Sequence, residues 1–215
     1  MNTTTKRALL LLAEGFEDIE AVTPVDILTR AGVDVTVASL EKGPVKGAYG
    51  NTLIADTTID KIGGLYDCLI LPGGLKNAQL LASQGAVIEL VKSHFDALKL
   101  VAAICASPGF VLAEAAGILA GRKATGDPNL SDMIISGGAE YTDQPVTVDG
   151  NIITGMGPGA AMPFALKLAE YLAGREIARS MVQRWRIESL FEDSSKSGEP
   201  RLRTYSEPRP VDLES

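Results

Sequence analysis

The sequence has few residues of several chemically active kinds, and each shortage excludes a class of protein. Two cysteines among 215 residues are too few for a disulfide framework. The single histidine, His94, leaves little material for a metal site or for a histidine proton shuttle. No apolar run approaches the roughly 20 residues of a membrane span. A formal net charge of -7 argues against nucleic acid as the main partner.

The overall composition, with 46% hydrophobic and 22% charged residues, is typical of a soluble globular protein. The apolar run 8–13 follows a polar start, is too short to span a membrane and lacks a signal-peptide cleavage pattern. We therefore expect a cytoplasmic protein with a tail over 1–6, a single domain over 7–190 and a Ser- and Pro-containing tail over 191–215.

Buried strands alternate with amphipathic helices along the domain. Apolar runs predict strands at 7–13, 33–38, 66–71 and 98–104. Such βαβ units predict a mainly parallel sheet with helices on both faces. Near the end of the domain, the dipeptide Asp149-Gly150 separates two further strands and predicts a hairpin.

Cys105 lies where a buried strand passes into a predicted helix over 106–116. The carboxyl ends of strands in open α/β sheets face the ligand crevice. Its small neighbours Ala103, Ala106 and Ser107 suit the sharp turn of a nucleophile elbow. A helix N-terminus beside the sulfur would lower the thiol pKa. The alternative is that Cys105 only fills the turn as a small hydrophobe, but its position favours a reactive thiol.

The acid–base partner of Cys105 is expected to be a carboxyl group, because the helix that carries His94 places it at the opposite edge of the sheet. Four acids follow the first strand, at Glu14, Glu17, Asp18 and Glu20. Three of them are expected to form a solvated first helical turn. Glu20 has apolar neighbours, so we expect it to be buried, protonated and hydrogen-bonded to the thiolate.

The turn Pro72-Gly73-Gly74 ends the strand that precedes the Cys105 strand. Glycines at such a turn let the backbone approach a ligand closely. The N–H groups of Gly74 and Ala106 are candidates for an oxyanion hole. Neither a nucleotide-binding glycine pattern nor a metal-spaced His/Cys set occurs, so we expect no cofactor and no metal.

Five segments together resemble the ThiJ/PfpI superfamily, in its DJ-one-like branch. They are AEGFEDIEA at 13–21, PVD at 24–26, LPGG at 71–74, AAICA at 102–106 and GPG at 157–159. The resemblance covers about residues 6–187. It implies a flavodoxin-like three-layer αβα sandwich that forms a homodimer.

The resemblance also implies roles for individual residues. The reactive cysteine of the family falls on Cys105 and its protonated glutamate partner on Glu20. Residues implied for oxyanion or substrate binding are Gly73, Gly74, Ala106, Asp127 and Arg30, the last near the pocket and the dimer interface. Asp127 stands where the best-known member has a histidine, and Tyr49 where the second subunit supplies an arginine.

The predicted function is that of a glyoxalase or deglycase that needs neither glutathione nor metal. Cys105 attacks the aldehyde of a 2-oxoaldehyde such as methylglyoxal, Glu20 transfers a proton, and hydrolysis releases a 2-hydroxy acid. The alternative is a redox sensor or oxidative-stress chaperone in which Cys105 is oxidised to sulfinate without turnover. A cysteine peptidase or amidotransferase is disfavoured because no histidine is at hand.

Overall fold

The structure is a computed structural model that describes residues 5–187. Its strands are β1 (Arg7–Leu12), β2 (Asp34–Ser39), β3 (Pro44–Lys46), β4 (Thr52–Ile54), β5 (Thr57–Thr58), β6 (Cys68–Leu71), β7 (Leu100–Ile104), β8 (Lys123–Ala124), β9 (Glu140–Tyr141), β10 (Val146–Asp149) and β11 (Ile152–Gly155). Its α-helices are α1 (Asp18–Arg30), α2 (Leu75–Ala82), α3 (Gly85–Asp96), α4 (Ser131–Ser136), α5 (Ala161–Ala173) and α6 (Arg175–Trp185). The predicted tails over 1–6 and 191–215 lie outside the described residues, apart from positions 5 and 6.

Seven strands form the main sheet in the order β10-β11-β7-β6-β1-β2-β5. Neighbouring strands are parallel except β10 and β11, which form the antiparallel hairpin predicted at Asp149-Gly150. The chain leaves β1 toward β2 on one side and leaves β6 toward β7 on the other. The connections therefore reverse direction between β1 and β6, where ligands bind in open α/β sheets.

The residues of β1 alternate between two apolar layers. Leu10 and Leu12 pack with α1 and α5 on one face, whereas Leu9 and Leu11 pack with α3 and the segment after Cys105 on the other. These leucines are all at most 1% exposed, as expected for a sheet covered on both faces. The predicted three-layer αβα sandwich with a mainly parallel sheet is confirmed.

One helix differs from its prediction, and two other segments add detail near the site. The helix after Cys105 is a π-helix that spans Pro108–Ala115, so it begins later and is wound more widely than predicted. The segment between β2 and β5 forms a separate hairpin of β3 and β4. Asp127 caps a 3-10 turn (Pro128–Leu130) before α4, because its side chain accepts from the Asn129 N–H at 2.9 Å.

Within residues 5–187, none of the helices has the length and apolar character needed to cross a membrane. The cytoplasmic location stays a prediction from the sequence.

Candidate active site

Cys105 follows β7 in a left-handed backbone conformation, with φ at +63°. This conformation is uncommon for residues other than glycine, and it is kept only where the surroundings enforce it. Both backbone groups of Cys105 are bound: its N–H donates to Gly155 at 2.9 Å, and its carbonyl accepts from the Asp127 N–H at 2.8 Å. The sharp turn predicted for a nucleophile elbow is therefore present.

Glu20 lies in the first turn of α1 and is fully buried beside Cys105. The Gly73 N–H donates to its Oε2 at 2.8 Å, while Oε1 has no hydrogen-bond partner among the described residues. Glu20 and Cys105 both lie against Gly73. A side chain at this position would not fit, because its Cβ would overlap both Glu20 Oε2 and Cys105 Cβ. The turn after β6 therefore brings the carboxyl and the thiol together.

Burial raises the pKa of Glu20 to about 8, and the negative charge of Glu17 is the second cause. The Gly73 N–H and the Cys105 side chain act in the opposite direction but do not outweigh these effects. Glu20 therefore keeps its proton at neutral pH, as the apolar neighbours in the sequence predicted.

The thiol pKa does not follow the prediction from the helix N-terminus. Burial raises the pKa of Cys105 to about 12, and the charge of an ionised Glu20 adds to this increase. The Gly74 N–H group lowers the thiol pKa but does not outweigh burial. Because Glu20 is protonated below about pH 8, its electrostatic contribution vanishes at neutral pH.

A cavity of about 700 Å³ opens above the thiol. Four of the predicted site residues line it, namely Gly74, Cys105, Ala106 and Asp127. Further residues around it are Glu14, Gly15, Glu17, Lys46, Gly47, Ala48, Tyr49, Leu75, Lys76, Asn129, Leu130 and Pro158. Its polar and charged groups surround a floor formed by Cys105, and Glu20 lies buried beneath that floor.

Two predicted binding residues do not reach this cavity within the chain. The Gly73 N–H is occupied by Glu20, so Gly73 positions the carboxyl instead of binding substrate. Arg30 lies at the far end of α1, ten residues after Glu20, or roughly 15 Å along the helix axis. There it forms an ion pair with Asp26 at 2.9 Å and packs over the Trp185 ring. Within one chain Arg30 therefore does not line this cavity, and its place near the pocket of a dimer stays a prediction.

A family model described as the DJ-1/PfpI family matches residues 6–171, which include every residue of the Cys105–Glu20 site. The chain belongs to the DJ-1/PfpI family. The "Parkinson disease protein 7 homolog" of Danio rerio is 42% identical over 177 residues, which cover 80% of this chain and 93% of that protein. A deglycase of Pyrococcus abyssi is 36% identical over 154 residues, which cover 71% and 91%.

The fold agrees with that of solved DJ-1 structures. The crystal structure of Drosophila melanogaster DJ-1beta superposes with a TM-score of 0.80 at 35% identity, covering 85% of this chain and 98% of that one. The sequence resemblance to this family is therefore confirmed.

His94, the one histidine of this DJ-1/PfpI member, is a structural residue. It is fully buried, its Nε2 accepts from the Tyr66 N–H at 3.1 Å, and its Nδ1 lies 2.8 Å from the Leu90 carbonyl oxygen. Burial lowers the pKa of His94, so the ring stays neutral. Tyr66 precedes β6, whereas Cys105 follows β7, so His94 lies at the opposite edge of the sheet, as predicted.

The structure adds three polar residues that sequence reasoning missed. Glu17 is 6% exposed and caps α1 by accepting from the Glu20 N–H at 2.7 Å. Asn77 is fully buried and ties β1 to the glycine turn, through the Ala13 N–H at 2.7 Å and the Pro72 carbonyl at 2.8 Å. Asp18 is also 6% exposed, so the expectation that Glu17 and Asp18 belong to a solvated helical turn is wrong. The capping role of Glu17 could have been predicted from its position three residues before Glu20, because an N-cap side chain accepts from the backbone N–H at that spacing.

Replacing Gly74 with alanine is expected to destabilise the protein by at least about 3 kcal/mol. Gly74 has φ at +86°, and an added Cβ would overlap the Gly15 carbonyl oxygen and the Glu17 nitrogen. Gly32 is a matched control, because its φ is +80° but nothing lies within 4 Å of an added Cβ. Gly32→Ala should cost only about 1 kcal/mol. Urea unfolding measures both, and equal losses would contradict this account of the turn.

Replacing Glu20 with glutamine is expected to stabilise the protein, by up to about 4 kcal/mol at pH 8. The folded pKa of Glu20 is raised from 4.5 to about 8, so the folded state binds one more proton than the unfolded state between these values. Wild-type stability therefore falls as the pH rises through this window. The gain of Glu20→Gln should grow from pH 4.5 to pH 8 in urea unfolding curves. A gain that does not change with pH would show that Glu20 is not protonated by burial.

Proposed function

We propose that this DJ-1/PfpI member is a cysteine-dependent, glutathione-independent glyoxalase or deglycase that acts on 2-oxoaldehydes or their adducts. The observation that carries the proposal is the buried, protonated Glu20 against the Cys105 thiol at the floor of an open cavity. A thiol can form a covalent bond with a carbonyl carbon, and a neighbouring carboxyl can move the protons. The relative named as a deglycase supports hydrolytic chemistry of this kind.

Burial raises the pKa of both groups, so the resting pair holds two protons at neutral pH. In the first step, the thiol proton leaves to solvent as the sulfur attacks, so the reacting form carries a single proton, on Glu20, and a thiolate at Cys105. The sulfur adds to the aldehyde carbon of methylglyoxal, and the former aldehyde oxygen takes the proton from Glu20. The product is a hemithioacetal beside an ionised Glu20. The Gly74 N–H group faces the sulfur, and the Ala106 backbone lines the same floor, so both are near the oxygen that gains charge.

In the second step, the Glu20 carboxylate removes the hydrogen from the former aldehyde carbon, which gives an enediol-like species. Glu20 then returns this proton to the neighbouring carbon, and the hydroxyl proton of the first carbon moves to the oxygen of the neighbouring carbon. The first carbon is thereby oxidised to a thioester and the second is reduced to an alcohol, so no external oxidant or reductant is needed. Water hydrolyses the thioester, which releases lactate and restores the thiol.

The same attack on a carbonyl adduct of an amine or a thiol would appear as deglycase activity. In that reaction the amine or thiol leaves, and the carbonyl fragment stays on Cys105 for the steps above. The substrate class of the proposal is therefore a small reactive carbonyl compound, free or as an adduct.

A homodimer is part of the proposal. Ile19 and Val22 on α1 and Ile54 on β4 are 46% to 80% exposed, and they provide an apolar surface that a second copy could cover.

The test is a time course of lactate formation from methylglyoxal without glutathione. The proposal predicts many molecules of lactate per protein chain, at a rate that is proportional to protein concentration. Lactate at no more than one molecule per chain would contradict turnover. A mass increase of two oxygen atoms at Cys105 after peroxide treatment would then support the redox-sensor alternative. A second arm supplies a purified adduct with all free aldehyde removed, and release of the intact amine there identifies deglycase activity.

A further inference from the structure

The segment 46–51, of which residues 46–49 line the cavity, is tied to the turn that leads into α1. The Gly15 N–H donates to the Lys46 carbonyl at 2.7 Å, and the Ala48 N–H donates to the Phe16 carbonyl at 2.8 Å. The hairpin of β3 and β4 is thereby fixed at the entrance, although it is not part of the main sheet.

The buried carboxylate of Asp18 accepts several hydrogen bonds from the same segment. Asp18 is 6% exposed and accepts from the Tyr49 N–H at 3.0 Å, from the Asn51 N–H at 3.0 Å and from the Asn51 side-chain amide. Gly47 leaves room for this arrangement, because a Cβ there would lie 2.6 Å from Asp18 Oδ2. Burial acts to raise the pKa of Asp18, but these donors outweigh it and lower the pKa, so the group is an anion.

One of the residues bound by Asp18 has an exposed aromatic ring that lines the cavity. Tyr49 is 79% exposed and lines the cavity, as does Leu75, which is 57% exposed. The space of about 700 Å³ is far larger than methylglyoxal and is typical of sites for larger ligands. Aromatic rings bind flat apolar groups with little loss of conformational entropy.

We propose that Asp18 is a positioning residue that fixes Tyr49 at the cavity rim, where the ring selects 2-oxoaldehydes with an aromatic or bulky apolar substituent over methylglyoxal. The substrate class rests on the proposed function, whereas the contact between the ring and the substituent does not. The substituent lies between Tyr49 and Leu75 while the aldehyde reaches Cys105.

The first test needs no turnover and compares how fast N-phenylmaleimide and N-methylmaleimide alkylate Cys105. Intact mass follows the reaction, and the fully buried Cys68 does not compete. We expect the phenyl-to-methyl rate ratio to fall about fivefold in Tyr49→Ala and in Asp18→Asn, and to be kept in Tyr49→Phe. Because the Tyr49 side chain is exposed, Tyr49→Ala should retain the fold even if Asp18→Asn does not.

Asp56→Asn is the matched control, because Asp56 likewise accepts a backbone N–H, that of Val37 at 2.8 Å, but at the far edge of the sheet. Its rate ratio should equal that of the wild type. An unchanged ratio in Tyr49→Ala would overturn the role of the ring. A ratio that falls in Tyr49→Ala but not in a folded Asp18→Asn would overturn the positioning role of Asp18.

The second test is steady-state kinetics with phenylglyoxal and methylglyoxal. Tyr49→Ala and Asp18→Asn should raise KM for phenylglyoxal about five times more than KM for methylglyoxal. An equal rise in KM for both aldehydes would overturn selection by the ring. Absence of turnover with either aldehyde in the wild type would contradict the proposed function, and the maleimide ratio would still decide the role of Tyr49.

Discussion

Replacing Cys105 with alanine is expected to reduce lactate formation from methylglyoxal by at least about 10⁴-fold. The reason is that the sulfur forms the covalent bond to substrate, and the chain holds a strained backbone with φ at +63° to present it. Neither Glu20 nor the cavity can replace that bond. Initial rates of lactate formation without glutathione measure the effect.

Cys68→Ala is the control for the loss of a thiol. Cys68 lies in the adjacent strand β6, is fully buried, and its pKa is raised by burial far above the neutral range. Its replacement should leave kcat near the wild-type value and should reduce stability by about 1 kcal/mol. Equal losses of activity in the two variants would contradict a specific role for Cys105.

Replacing Glu20 with glutamine is expected to reduce kcat by about 10²- to 10⁴-fold while leaving the protein folded and more stable. Glutamine has the shape of the protonated acid and can still accept from the Gly73 N–H, but it cannot move a proton between two carbons. Glu20→Asp should have an intermediate kcat, because the shorter side chain keeps the proton but moves away from substrate. Steady-state rates with methylglyoxal give the comparison.

Asp26→Asn controls for the loss of an acid from the same helix, because Asp26 is exposed and pairs only with Arg30 among the described residues. It should have wild-type kcat. A Glu20→Gln enzyme with wild-type kcat would remove Glu20 from the reaction and leave Cys105 without a proton donor.

Sequence patterns were sufficient to predict that Cys105 and Glu20, the two groups proposed to react, lie together, because both lie where a strong local pattern changes. Cys105 ends an unbroken apolar strand and is followed by small residues, so the turn and its exposure could be predicted. Glu20 was distinguished from the other acids by its apolar neighbours. Both predictions rest on short-range patterns, which sequence reports well.

Other parts of the site depend on contacts between distant segments, which local patterns do not encode. Asp18 is buried because the hairpin of β3 and β4 folds onto the start of α1. No pattern in the sequence indicates the wide winding of the π-helix after Cys105. Arg30 was placed in the pocket by family resemblance, but the length of α1 separates it from Glu20 within one chain.

Cys105 is proposed to bond to the substrate and Glu20 to transfer its protons. Nuclear magnetic resonance of Glu20→Gln mixed with ¹³C-enriched methylglyoxal tests these separate roles most directly. The account predicts a hemithioacetal carbon signal that accumulates on this variant without lactate, and that is absent when Cys105 is also replaced by alanine. Lactate formed at the wild-type rate by Glu20→Gln, or a bound signal that survives the loss of Cys105, would contradict it.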